Sequence, residues 1–227
     1  MKDEVNARSS KEGARSHSVD PSSLILHPSS FPSAWRIFCA IELPQRVCEQ
    51  ATEYIRNLKG RFPHVSASWN RDGKFHLTLK FIREIPQEQI DRVSLAAERA
   101  TVNVDRFSLI VSSAGAFPER GVPKVLWLGI SDPSASLGGL QTRLEEECAQ
   151  QGFAKESRAF HPHLTLARLR KPEGARALAV AHQGLGFPAI EFPISDLLVI
   201  RSELSSEGSR YSVISSHQLR EAAPRPL

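Results

Sequence analysis

His76-Leu77-Thr78-Leu79 and His163-Leu164-Thr165-Leu166 are the same four-residue phrase, one copy in each half of a 227-residue chain. Both copies sit in stretches of alternating character, and side chains on a β-strand alternate between its faces. The phrase therefore predicts two strands, each with His and Thr on one face and two leucines on the other. Leu77, Leu79, Leu164 and Leu166 are expected to enter a core. His76 with Thr78, and His163 with Thr165, are expected on a polar face that can line a cleft. By the same alternation Lys80 joins the His76 face, Arg168 falls on the leucine face, and His161 shares the face of His163.

Around each copy the order of elements repeats. Residues 35–43 read as a buried strand, and Pro44 opens a helix at the position where its missing N–H costs nothing. Val47, Ala51, Tyr54, Ile55 and Leu58 give that helix its apolar stripe, with Gly60 as its stop. Residues 61–73 read as a loop holding Trp69, and the first phrase lies in a strand over 74–82. In the second half, residues 125–130 read as a buried strand. A helix capped by Ser134 or Ser136 carries Leu137, Leu140, Leu144 and Cys148 to Gly152, and the second phrase comes after it. Between the halves lie a helix with Ile90, Val93, Ala97 and Ala100 on one face, a strand at 107–111 and a Gly/Pro loop over 114–123. After them come a short helix at 175–182 and two closing strands at 192–202 and 209–215. Helices mixed with antiparallel hairpins predict an α+β fold of two antiparallel sheets with flanking helices. A pseudo-twofold, bilobal pairing of the halves would set the two His-x-Thr faces across a central cleft.

Residues 1–34 differ in composition from the rest of the chain and are read as a disordered leader. The abrupt change at Trp35 is also what a start placed too far upstream would give. Residues 35–220 are read as a single domain and 221–227 as a tail. Lys and Arg total 29 against 25 acidic residues, a net charge of +4 that suits an anionic ligand. No basic run has the density of a duplex-binding surface. Cys39, Cys48 and Cys148 are scattered without a Cys-x-x-Cys, which predicts neither a disulfide framework nor a zinc knuckle, and fits a reducing cytoplasm. No apolar run approaches a membrane span. A monomer without membrane partner is expected.

Imidazole titrates near neutrality, so one histidine can accept a proton while the other donates one. A threonine hydroxyl two positions along the same face reaches the same ligand and can donate to an oxyanion. Two facing His-x-Thr pairs form a clamp for a tetrahedral phosphate, suited to in-line displacement without metal or other cofactor. His161 beside His163 leaves a metal pair as an alternative, with no third ligand indicated. Trp69, Trp127 and Phe160 are candidates for stacking on a base, although Trp127 lies in a run read as core. Arg168 is a candidate phosphate contact, and Tyr211 either a plain strand residue or a cleft-lining hydroxyl. His17, His27, His64, His182 and His217 read as surface or loop histidines.

The ordered pieces Arg36-Ile-Phe-Cys-Ala-Ile-Glu-Leu-Pro44, Phe75-His-Leu-Thr-Leu-Lys-Phe81, Phe117-Pro118, Val125-Leu-Trp-Leu-Gly129, Phe160-His-Pro-His-Leu-Thr-Leu-Ala-Arg168 and Ser202-Glu-Leu204 with Gly208 and Tyr211 resemble the two-histidine (2H) phosphoesterases. Among these they are most similar to the RNA 2′,3′-cyclic phosphodiesterases, also described as 2′-5′ RNA ligases. The resemblance runs from about Trp35 to Leu219. It implies a bilobal α+β fold and metal-independent hydrolysis of RNA or nucleotide 2′,3′-cyclic phosphate ends to 2′-phosphomonoesters. It further implies His76 as proton donor to the 3′-oxygen, His163 as proton acceptor from water, and Thr78 and Thr165 as phosphate contacts. A symmetric clamp also permits the reverse assignment. Arg83 stands where that family often carries Gly, and Lys124 where Arg is common. Two other readings stay open: a non-catalytic module binding nucleotides or RNA ends in the same cleft, and 2′-5′ RNA ligation as the main activity.

Overall fold

The computed structural model describes residues 34–70, 75–205 and 208–221. The leader and the tail beyond Glu221 lie outside the described residues, as do His17, His27 and residues 71–74.

Each half begins with a strand, a helix and a histidine strand. In the first half these are β1 (Ala34–Glu42), α1 (Gln45–Arg61) and, after the short β2 (Ala67–Trp69), β3 (His76–Pro86). In the second they are β5 (Val125–Ser131), α3 (Ser136–Gln150) and β6 (His163–Leu169). Between them lie α2 (Ile90–Thr101) and β4 (Phe107–Phe117), and the chain closes with α4 (Ala175–Leu185), β7 (Ile190–Ile194), β8 (Asp196–Ser205) and β9 (Gly208–Gln218). The strands form two sheets, one ordered β3-β1-β8-β9 and the other β2-β6-β5-β4-β7. Every pairing between these strands is antiparallel. The two antiparallel sheets and flanking helices are the α+β architecture expected from the sequence.

The duplication extends to register. His76 pairs with Glu42 and Thr78 with Ala40, while His163 pairs with Gly129 and Thr165 with Trp127. One residue past each threonine the register slips: Ala40 faces Thr78 but Cys39 faces Lys80, and Trp127 faces Thr165 but Leu126 faces Ala167. The extra residues are Leu79 and Leu166, the last letter of each phrase. Each sits in a β-bulge, which inserts one residue and reverses the alternation beyond it.

All four phrase leucines enter one continuous core with the apolar stripes of the helices. Burying each contributes about 1.5–3 kcal/mol. In α1 the stripe is Val47, Ala51, Tyr54, Ile55 and Leu58, and in α2 it includes Ile90, Val93, Ala97 and Ala100. A second, smaller apolar cluster of Phe38, Ala40, Leu198 and Ile200 lies on the other face of β1 and β8.

Several elements depart from the sequence-based expectation. Helix α1 continues through Gly60 to Arg61, since a glycine inside a packed helix weakens it without ending it. Trp69 lies in β2, paired with Ala167, rather than in a loop. Strand β4 runs on to Phe117 through residues read as a loop; Gly115 pairs with Trp127, and a Cβ there would fall 2.1 Å from the Trp127 ring. Neither Ser134 nor Ser136 occupies the N-cap position of α3, which is Ala135: Ser134 Oγ accepts the Ser136 amide at 3.3 Å, and Asp132 accepts the Leu137 amide at 2.7 Å and the Ser134 amide at 3.0 Å. Gly152, just beyond α3, has φ +88° and closes that helix as expected.

Candidate active site

The two phrases present different surroundings. His76 on β3 packs against Phe38 of β1, ring centroids 4.7 Å apart, and against Tyr211 of β9 at 5.0 Å. Phe38 also meets Tyr211 at 5.6 Å and Phe81 at 6.0 Å. Phe81 is 57% exposed and pairs directly with Phe38, which is 3% exposed. The His76 side is thus an aromatic floor, and Tyr211, left open in the sequence, stands at the edge of the imidazole.

His163 on β6 lies beside Phe117 at 5.3 Å and Trp127 at 6.5 Å. Its Nδ1 is 2.7 Å from the carbonyl of His161. A carbonyl only accepts, so Nδ1 carries the hydrogen. In the neutral ring Nε2 is then the free base. Burial lowers the pKa of His163, the bond to the His161 carbonyl opposes that, and the charges of Arg168 and His161 lower it further. The net direction favours neutral imidazole. His161 thereby acts through its backbone, while its ring stands 6.2 Å from Phe117. Among the described residues no group of three or more His, Cys, Asp or Glu is gathered to hold a metal ion.

The bulges correct two expectations. Lys80 does not share the His76 face: the slip at Leu79 turns it inward, where it is buried, and brings Phe81 outward. Arg168 does not share the leucine face: the slip at Leu166 turns Ala167 inward and Arg168 outward, toward His163. Residues 81 and 168 occupy equivalent positions, five past their histidines, so one phrase is followed by an exposed phenyl ring and the other by an exposed guanidinium. Trp127, expected in the core, is half-buried on the Thr165 face because it pairs with Thr165. Trp69 and Phe160 pack partly buried against the core. His64 is exposed as expected.

Two histidines read as surface residues are not. His217 is half-buried, its Nε2 at 2.9 Å from Ser215 Oγ, with burial lowering its pKa. His182 is fully buried on α4. Its Nε2 lies 3.0 Å from the Trp127 carbonyl and its Nδ1 2.9 Å from the Tyr54 hydroxyl. Burial lowers its pKa, so the neutral ring donates from Nε2 to Trp127 and accepts from Tyr54 at Nδ1. Burial also pushes the Tyr54 hydroxyl up to about 12, keeping it a donor. This buried link holds the backbone of the strand that faces Thr165. Ala175, Leu178, Ala179 and His182 are the buried residues of α4, a spacing that marks His182 as inward in the sequence itself.

β3 and β6 belong to different sheets yet come within 8 Å of each other, Cα to Cα. Two cavities lie elsewhere. One of about 380 Å³ is bordered by Glu98, His217 and Arg220, the other of about 260 Å³ by Tyr54, Leu185 and Phe187, and neither phrase lines either one.

A family model described as the 2′-5′ RNA ligase superfamily matches residues 43–205, a span that contains both phrases. The chain belongs to the 2′-5′ RNA ligase superfamily. Within this superfamily it is 30% identical over 180 residues to an RNA 2′,3′-cyclic phosphodiesterase of Thermotoga maritima, covering 79% of this chain and 92% of that protein. An Escherichia coli protein of the same name is 27% identical over 78% of this chain and 92% of its own length. The crystal structure of E. coli LigT complexed with 3′-AMP superposes with a TM-score of 0.64 at 26% identity, covering 83% of this chain and 99% of that one. Arg83, four residues past the first phrase, has φ 78°, in the left-handed region that favours glycine. No described helix is long and apolar enough to cross a membrane.

Proposed function

We propose that this protein is a metal-independent hydrolase of 2′,3′-cyclic phosphates at RNA 3′ ends or on nucleotides, releasing 2′-phosphomonoesters. The observation that carries the assignment of roles is the His163 tautomer: Nδ1 is committed to the His161 carbonyl and burial favours the neutral ring. His163 Nε2 takes a proton from water as the water oxygen attacks phosphorus. The P–O3′ bond breaks, and His76 gives its proton to the departing 3′-oxygen. Thr78 and Thr165 donate to the non-bridging oxygens, and Arg168 adds charge on the His163 side. Tyr211, which is exposed, contacts the nucleoside on the His76 side, and the buried Phe38 ring backs it. The relatives named RNA 2′,3′-cyclic phosphodiesterase and the 3′-AMP complex of LigT support the substrate class. If a 5′-hydroxyl of a second RNA takes the place of water, the same proton transfers yield a 2′-5′ linkage.

Incubation with 2′,3′-cyclic mononucleotides and with a cyclic-ended oligonucleotide, with and without a 5′-hydroxyl partner strand, tests this. A 2′-phosphate product, undiminished by EDTA, is expected. Acid–base groups each contribute about 10²–10⁴-fold in rate, so His76→Ala and His163→Ala should each lower turnover at least about 100-fold. Losses below tenfold in both, or ligand binding without turnover by the wild type, would refute the reading.

A further inference from the structure

Lys80 stands two residues past Thr78, yet its side chain is only 1% exposed. Its ammonium donates to Glu145 Oε2 at 2.5 Å and to the Ala154 carbonyl at 2.8 Å. The same carboxylate oxygen accepts the Glu156 amide at 3.1 Å, and Gln141 reaches the other oxygen at 3.5 Å. Glu145 belongs to α3, which the chain places between β5 and β6. Ala154 and Glu156 belong to the segment that leads from α3 into His163. One buried cation on the strand of the first phrase therefore grips the lead-in to the second phrase, across two sheets. Cys39 and Cys148 border the pair; burial raises both thiols, Cys148 to about 12, which leaves the Glu145 carboxylate as the counter-ion.

A buried ion pair is a poor device for stability alone, because desolvation offsets most of the attraction and apolar replacements are often neutral or better. Its value here lies in directionality. Satisfied buried networks fix geometry, and two groups acting on one phosphorus tolerate little misplacement. We propose that Lys80 and Glu145 are positioning residues that set the placement of His163 relative to His76. Neither touches substrate. This rests on the reading of the two histidines as one acid–base pair.

The test compares two double variants. Lys80→Met/Glu145→Leu keeps the bulk and removes the tie. Lys80→Gln/Glu145→Gln removes the charges and keeps a donor for Ala154 and an acceptor for Glu156. With 2′,3′-cyclic AMP, the first should lose about 10–100-fold in kcat with KM within about threefold, and the second should stay within about threefold of wild type. Wild-type kcat in a folded Lys80→Met/Glu145→Leu protein, or equal losses in both variants, overturns the proposal. Should the apolar variant fail to fold, Glu156→Pro deletes the amide that Glu145 holds together with the carboxylate that accepts from Arg158, and Glu156→Ala, which keeps the amide and loses only the carboxylate, is the reference against which its kcat is read. A kcat drop of about threefold or more then supports the tie, and an unchanged kcat overturns it. Hydrogen exchange gives a readout independent of turnover. Residues 154–162 should lose protection in the apolar variant while β1 keeps its own, and unchanged protection overturns the proposal. A wild type without turnover refutes the assigned function, and exchange then decides the tie by itself.

Discussion

Replacing Gly115 by alanine should damage both stability and turnover, through one aromatic ring. A Cβ at position 115 would lie 2.1, 2.3 and 2.7 Å from three ring atoms of Trp127. Non-bonded carbons settle at about 3.5 Å or more, so the ring must recede by about 1.4 Å. Its backbone cannot follow easily, because the Trp127 carbonyl is held by His182 at 3.0 Å and the strand is paired on both sides. The displacement is therefore taken up by the ring, whose neighbours are Phe117 at 5.1 Å and His163 at 6.5 Å. Overpacking of this kind costs about 1–3 kcal/mol, which in a chain of this size lowers Tm by about 2–12 °C. A disturbed wall beside His163, the proposed general base, should reduce kcat about 10–100-fold. Thermal melting and cyclic-nucleotide turnover measure the two effects. Gly138→Ala is the control: nothing lies within 4 Å of its Cβ position in α3, and removing a helix-interior glycine should stabilise by about 0.5–1 kcal/mol. A Gly115→Ala protein with wild-type Tm and wild-type turnover would refute the reasoning.

Arg83→Gly should raise stability by about 0.5–1 kcal/mol, since a non-glycine residue at φ 78° carries a steric cost that exceeds the entropy lost by glycine; a chemical denaturation midpoint that falls would contradict this. His163, His182 and His217 all have pKa values lowered below 6.5 by burial. Above that pH they are neutral in folded and unfolded chains alike. As pH falls through 6.5 the unfolded chain binds protons that the folded one resists, and stability should decline, by up to about 1.4 kcal/mol per pH unit per histidine; urea unfolding from pH 8 to 5.5 that shows flat or rising stability would count against it. The same depression of His163 places the acid limb of kcat/KM below pH 6.5, in contrast to an ordinary exposed imidazole. Arg168→Ala should lower kcat/KM for cyclic-ended RNA about 10–100-fold, the worth of a charge-assisted hydrogen bond, with the salt dependence of KM reduced; an unchanged kcat/KM would remove Arg168 from the site.

The repeated phrase makes the two histidine strands, the order strand-helix-strand in each half and the inward leucines legible in the sequence, because period-two alternation survives wherever pairing is regular. The bulges at Leu79 and Leu166 are not legible. A bulge adds one residue to a strand without changing residue type, and alternation read through it sends Lys80 and Arg168 to the wrong faces. One hint is present: Leu79-Lys80-Phe81-Ile82 has apolar residues on both sides of a single lysine, a pattern that no strict alternation accommodates. Trp127 escapes the sequence for a related reason, since a run of apolar residues does not say which of them faces a partner threonine. The left-handed backbone at Arg83 is not legible, because arginine carries no local sign of a positive φ. His182 is readable from its helical spacing, but the residue type argues the other way, because histidine is so often a surface residue.

The order β3-β1-β8-β9 also bears on how the chain is made. β1 is complete within the first 42 residues, and its first neighbour β3 ends at Pro86. Its other neighbour, β8, does not begin until Asp196, and Tyr211, which stands against His76, comes later still. During synthesis the sheet that carries His76 therefore waits with an unpaired edge until nearly the whole polypeptide has emerged, a period in which exposed strand edges invite intermolecular pairing. Sequence-distant closure of this kind slows folding. It also ties completion of the candidate site to the last strand: a ribosome that stops short of β9 releases a chain with both phrases intact and the aromatic floor of the first one incomplete.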